Sequence, residues 1–139
     1  MKVVLDTKVF VSSFLETTGA PRKIIELWKR GEIVLCVSDE IVTEYINVLL
    51  RMGLKGEEEI SELLALLNRK VNIVFASTDQ TSQLIISDPN YDKFVQCAVK
   101  AGADIIISAE KYLLDLKEYK HVKIVTSLEF IEQVKRSKK

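Results

Sequence analysis

The sequence predicts an α/β protein built on a parallel sheet, and three observations lead there. Short apolar runs without a polar face alternate with longer stretches of helical period, no segment repeats, and acidic residues recur just beyond the apolar runs. Strands that are apolar on both faces are covered on both sides, which is the condition of a parallel sheet between two helix layers. The expected architecture is a three-layer α/β/α sandwich with a Rossmann-like sheet of about five parallel strands, formed by one domain over residues 1–139.

The predicted strands are Lys2–Leu5, Ile33–Val37, Val71–Phe75, Asp104–Ser108 and Val122–Val125. A short helix, Val9–Leu15, follows the first. Longer helices are expected over residues 20–30, 38–52, 56–70, 78–86, 92–101 and 127–136. The 56–70 segment is the best signed. Glu57, Glu58 and Glu59 stand in its first turn and Arg69 and Lys70 in its last, which suits the helix dipole, and Ile60, Leu63, Leu64 and Leu67 form its apolar stripe. Trp28, among Ile24, Ile25 and Leu27, reads as core rather than as a base-stacking platform.

Composition narrows the function classes. Hydrophobic residues make up 47% of the chain and charged residues 29%, so it can bury a core and is not a disordered segment. Lys plus Arg and Asp plus Glu both number 20, so nucleic acid could be gripped only through a local basic patch, not by bulk charge. The candidates are Arg22-Lys23 and Lys29-Arg30, which read first as a solvated helix face, and the tail from Lys135 to Lys139, which reads first as a frayed terminus. A single histidine, His121, excludes two-histidine acid–base catalysis and any site needing several imidazoles. Cys36 and Cys97 lie in apolar surroundings and read as reduced, buried thiols. No apolar stretch reaches the roughly 18 residues of a membrane span, and no signal-peptide pattern opens the chain; the expectation is a cytoplasmic protein without a membrane partner.

The acids carry the chemistry. In a doubly wound sheet, ligands bind beyond the carboxyl ends of the strands. Asp6 follows Val3-Val4-Leu5, and Ser108 with Glu110 follows Ile105-Ile106-Ile107. Glu44 lies on or beside the apolar face made by Ile41, Tyr45, Val48 and Leu49, and Asp92 lies near the start of a helix. Each has a plain structural reading: Asp6 and Asp92 as helix caps, Glu44 as a rim residue paired with a lysine, Asp88 as a turn residue before Pro89, and Ser108-Glu110 as a helix start. Taken together, Asp6, Glu44, Asp92 and Glu110 all fall at the same side of the predicted βα units. Like charges gathered in one cleft repel, and a divalent cation relieves that repulsion. Oxygen donors without His or Cys suit Mg²⁺ or Mn²⁺.

With those residues placed, the chain resembles the PIN-domain family, and most closely the prokaryotic members described as toxin components of toxin–antitoxin pairs. The likeness rests on Val3-Val4-Leu5-Asp6-Thr7 with Val9 and Ser12, on Ser38-Asp39-Glu40 leading to Glu44, on Asp88-Pro89-Asn90-Tyr91-Asp92-Lys93-Phe94, and on Ala101-Gly102-Ala103-Asp104 through Ser108 to Glu110, Leu113 and Leu114. It implies metal-dependent endoribonuclease chemistry with water, rather than a side chain, as nucleophile. By position, Asp6, Glu44, Asp92 and Glu110 would be the catalytic, metal-binding acids. Thr7 and Ser108 would orient them, Asp88 would be an accessory acid, and Lys8 and Lys93 would face phosphate. RNA, an antitoxin protein and a second copy of the chain are the implied partners. The chain departs from the family pattern at Lys8, where Asn is usual, at Asn90, where a further Asp is frequent, at Ala109-Glu110, where Gly-Asp is frequent, and at Tyr112, which stands where a later acid is common. Lys8 either pairs with Asp6, in competition with metal, or points at phosphate.

Two rivals follow. One is a catalytically silent PIN-like module that binds RNA or a protein, which Lys8 and Asn90 favour. The other is a phospho-acceptor receiver domain; it would want an aspartate ending the third strand, but Ala76-Ser77-Thr78 follows Phe75.

Overall fold

A computed structural model describes residues 1–16, 18–53, 58–69, 72–77 and 84–137. Among the described residues, six strands form one sheet: β1 (Lys2–Leu5), β2 (Val34–Val37), β3 (Ile73–Phe75), β4 (Ile105–Ile107), β5 (Glu118–Tyr119) and β6 (Val122–Val125). Seven helices accompany them among the described residues: α1 (Thr7–Leu15), α2 (Ala20–Lys29), α3 (Asp39–Arg51), α4 (Glu58–Asn68), α5 (Pro89–Ala101), α6 (Lys111–Leu114) and α7 (Ser127–Ser137). The strand order is β3-β2-β1-β4-β6-β5, and every pairing is parallel except β5 with β6. The expected α/β sandwich with a mostly parallel sheet is what forms.

The sheet is apolar on both faces where it matters. Val3, Val4, Leu5, Leu35, Cys36, Val37, Ile105, Ile106 and Ile107 are all buried, because helices cover both sides of the central strands. Helix α5 packs across β1, β2 and β4, α1 packs on α2 and α3, and α2 packs on α7. Trp28 is buried in the core and its indole N–H donates to the Asn72 carbonyl. Burial pushes the Cys36 thiol up to about 11 and the Cys97 thiol to about 12, so neither is a nucleophile. Among the described residues, no helix is long and apolar enough to cross a membrane.

The order of the strands fixes where a ligand can sit. From β1 the chain winds outward to β2 and β3, and then returns to the other side of β1 through β4 and β6. Neighbouring connections therefore leave β1 and β4 toward opposite faces and open a crevice beyond their carboxyl ends. Asp6 and Ser108 are the first residues beyond those two ends.

Four expectations are corrected. The sheet has a sixth strand, since Glu118–Tyr119 pairs antiparallel with Val122–Val125. Two residues carry no periodicity, and the turn is made by Lys120 at φ 53 instead of the glycine or asparagine that would announce it. Helix α5 begins at Pro89, not at 92: Asp88 is its N-cap, accepting the Asn90 amide at 2.9 Å, and Pro89 takes the first turn, where no amide is needed. Of the helix expected over 78–86, Leu84, Ile85 and Ile86 form no helix, and residues 78–83 lie outside the described residues. In α4, Leu67 is buried but Leu64, expected on the same apolar stripe, is exposed. The side chains of Glu59, Ile60 and Leu63 lie outside what the structure describes, as do Glu57, Lys70 and Val71.

Candidate active site

Asp6 anchors the crevice. Its backbone amide continues the sheet by donating to the Ile107 carbonyl, and its side chain then caps α1 by accepting the Val9 amide at 2.8 Å. The other carboxylate oxygen accepts the Ser108 hydroxyl at 2.5 Å and the Ala109 amide at 2.9 Å. One aspartate thus ties the ends of β1 and β4 together. Its carboxyl is nonetheless held above the ordinary aspartate value. Burial dominates, the Ser108, Val9 and Ala109 donors pull the other way, and the Glu110 charge adds a further upward push.

Glu44 arrives through its neighbour. Tyr45 is fully buried, stacks on Phe10 of α1 with ring centroids 3.8 Å apart, and donates its hydroxyl to the Leu5 carbonyl. Those contacts hold α3 against the end of β1, so the adjacent Glu44 faces the crevice. Its carboxylate accepts the Thr7 hydroxyl and pairs with Lys93 at 2.6 Å. The Lys93 side chain is 14% exposed and that of Glu44 32%, so this pair is partly shielded from water.

Glu110 is the N-cap residue of α6. Ser108 sets it in place, its hydroxyl oxygen accepting the Glu110 amide at 2.9 Å while its proton goes to Asp6. The Glu110 carboxylate pairs with Lys8 at 2.9 Å, with the lysine side chain 68% exposed. Tyr91 lies in reach of the same carboxylate, whose charge raises the phenol's pKa and keeps it protonated. Lys8 therefore pairs with Glu110; the alternative partner, Asp6, acts on it only at longer range.

Asp6, Thr7, Lys8, Glu44, Asn90, Tyr91, Phe94 and Glu110 line one cavity of about 230 Å³. The structure therefore brings together three of the four expected acids, with Thr7 and Lys8. Ser108 lies behind them, bonded to Asp6 and Glu110, and Lys93 reaches in through Glu44. The fourth acid, Asp92, points elsewhere. It is buried, and it accepts the amides of Ile85 and Ile86 at 2.9 and 2.8 Å and the Gln96 side-chain amide at 3.1 Å. The reason is the helix start. Because α5 begins at Pro89, Asp92 is displaced around the first turn and Tyr91 with Phe94, three residues apart, takes the cavity side. Asp88 is occupied as the cap of that helix. Tyr91 is the residue that sequence reasoning missed, and the Asp88-Pro89 pair was the signal that could have found it. Among the described residues, no three acidic, histidine or cysteine side chains converge closely enough to hold a metal ion as arranged.

A carboxylate-lined crevice at the switch point of such a sheet is what a PIN domain presents, and the comparison with known families agrees. The PIN domain matches residues 2–112, and the chain belongs to that family, whose members are generally nucleases and typically use divalent metals. Among curated proteins, an uncharacterized protein of Methanocaldococcus jannaschii is similar, 30% identical in an alignment that covers 98% of this chain and 93% of that one.

Proposed function

We propose that the chain is a divalent-metal-dependent endoribonuclease. The observation that supports this best is that Asp6, Glu44 and Glu110, from three separate stretches of a PIN-family chain, line one cavity beyond the ends of β1 and β4. Their donors are hard oxygens, which fit Mg²⁺ or Mn²⁺ in kind. A bound ion would supply an activated water and offset charge on the phosphoryl oxygens. Asp6 offers a carboxylate fixed by its three donors, and Thr7 fixes Glu44. Asp92 serves by pinning the backbone at Ile85 and Ile86 beside α5. Lys8 and Lys93 now neutralise Glu110 and Glu44. Each ammonium competes with an ion for its carboxylate, and one that is displaced is free to meet a phosphate oxygen. A toxin role with an antitoxin partner, and homodimerisation, are further proposals carried by the family resemblance alone.

The test is cleavage of a mixed single-stranded and hairpin RNA panel in Mn²⁺, Mg²⁺ or EDTA, for wild type beside Asp6→Asn. Cutting by wild type that EDTA abolishes, and that the variant loses by roughly 10²-fold or more, is the expected result. Wild type that neither cuts nor binds Mn²⁺ at millimolar concentration sinks it. That outcome favours a second reading, a catalytically silent module binding RNA or a protein. The two lysine–glutamate pairs and the tyrosine in the cavity are what speak for it.

A further inference from the structure

At the edge of the carboxylate cavity two tyrosines from distant parts of the chain are stacked. Tyr91, in the first turn of α5, and Tyr112, in α6, have ring centroids 5.3 Å apart and planes inclined by 23°. The two ends of this stack differ. Tyr91 closes on the cavity, alongside Asp6 and Glu110. Tyr112 is 43% exposed, and its hydroxyl is held to the Ser87 hydroxyl at 2.7 Å. An aromatic ring backed by a second ring and pinned at its hydroxyl is already ordered, so a planar ligand laid on it would cost little conformational entropy. Most other large aromatic side chains, including Phe10, Phe14, Trp28, Tyr45, Phe94 and Phe130, are in the core. At the Tyr91 end of the stack, Lys8, 68% exposed, lines the same cavity and is paired there with Glu110.

The geometry points to a platform for one unpaired nucleobase: Tyr112, backed by Tyr91, stacks a base of single-stranded RNA at the edge of the cavity. This rests on the ribonuclease reading for the identity of the substrate and adds the two residues of this chain that would hold one of its bases. In a duplex both faces of each base are covered by its neighbours, so a side-chain platform can take only a base that is splayed out. Stacking tolerates any base, since each has a π-face, so the platform selects strandedness and not sequence.

The experiment measures binding of a short, unstructured, fluorescently labelled RNA and of its blunt duplex, in EDTA, to wild type, Tyr112→Ala and Tyr112→Phe. Each variant is checked for a wild-type melting temperature. Wild type should prefer the single strand. Tyr112→Ala should weaken single-strand binding by about ten-fold or more, with little change for the duplex, and Tyr112→Phe should stay close to wild type because the ring is kept. The platform is overturned if Tyr112→Ala binds the single strand as wild type does, if Tyr112→Phe loses as much as Tyr112→Ala, or if wild type shows no saturable single-strand binding. Binding without metal separates this from the nuclease question. A wild type that never cuts but loses RNA on Tyr112→Ala leaves the platform standing alone. Metal-dependent cutting with Tyr112→Ala indistinguishable from wild type leaves the nuclease and removes the platform.

Discussion

The end of β1 and the start of α5 each bury one aspartate, and the two do different things. Asp6 and Asp92 are 1% and 3% exposed, the only buried acids among the described residues, and each accepts several hydrogen bonds. Asp6 borders a cavity it shares with Glu44 and Glu110. Its carboxyl is pushed up because burial outweighs its donors and another acid lies near. Asp92 is not among the residues that line that cavity, and its carboxylate turns to the amides of Ile85 and Ile86. Burial alone therefore does not mark a carboxylate as chemical. What lies on its free side decides, together with whether its partners are spread over several elements or serve one stretch of backbone.

The strongest way to break this contrast is at Asp92. Replacement by alanine removes the shared acceptor of two partly buried amides, which water replaces poorly, and Asp92→Ala should lower unfolding free energy by about 2–4 kcal/mol in a urea titration. Asp92→Asn keeps an oxygen where Ile85 and Ile86 donate, so it should retain most of that stability and, under the ribonuclease reading, most of the cleavage. A stable Asp92→Asn protein that has lost metal-dependent cutting would return Asp92 to the ion site and erase the distinction.

A smaller effect sharpens the other side. Asp6 has a folded-state pKa above its unfolded value, so its protonated form is the one that folding favours. The sign follows from proton linkage: its contribution is most favourable below the unfolded value and is lost as pH rises through the raised folded value. The stability of wild type relative to Asp6→Asn should therefore decline as pH rises through the ordinary aspartate range and level off once Asp6 is ionised. Wild-type Mn²⁺ affinity should fall on acidification at a higher pH than an ordinary aspartate would give. A stability difference that does not change with pH would mean that Asp6 titrates as a surface acid does.

The parts that the sequence made legible are those governed by long-period patterns. Apolar runs located five strands because a buried parallel strand has no polar face to confuse the reading, and β6 was placed residue for residue. Asp6 and Ser108 were legible for the same reason, since they stand at strand ends, and strand ends in this topology meet at one crevice. Glu44 was legible because its neighbour Tyr45 sits on the apolar face of α3. Asp92 was not, because its direction depends on where α5 starts. Shifting a helix start by a few residues reassigns a side chain by 100° per position. β5 was invisible because a two-residue strand is made by its partner, not by its own composition. The pairing of Lys8 with Glu110 was half legible: a cation among the acids was plain, but its choice of acid is decided by α6, which the sequence showed only as a helix start.

That lysine gives the smallest predicted effect. If the cavity at Asp6 is an ion site and the pocket of amides around Asp92 is not, then only a lysine that faces the cavity should compete with a cation. Lys8 is bound to Glu110 by an exposed pair, and exposed pairs are weak because water and salt screen them. Lys8→Ala should therefore tighten Mn²⁺ binding, read by calorimetric titration, by about two- to five-fold, with more gain at low ionic strength than at high. Lys111 is the control, being a similarly exposed lysine that pairs with Asp115 on its own helix turn instead of with a cavity acid. Lys111→Ala should leave Mn²⁺ binding unchanged. Equal gains for the two variants would mean that the ion responds only to the overall charge of the protein, and that Lys8 holds no special place at the mouth of the cavity.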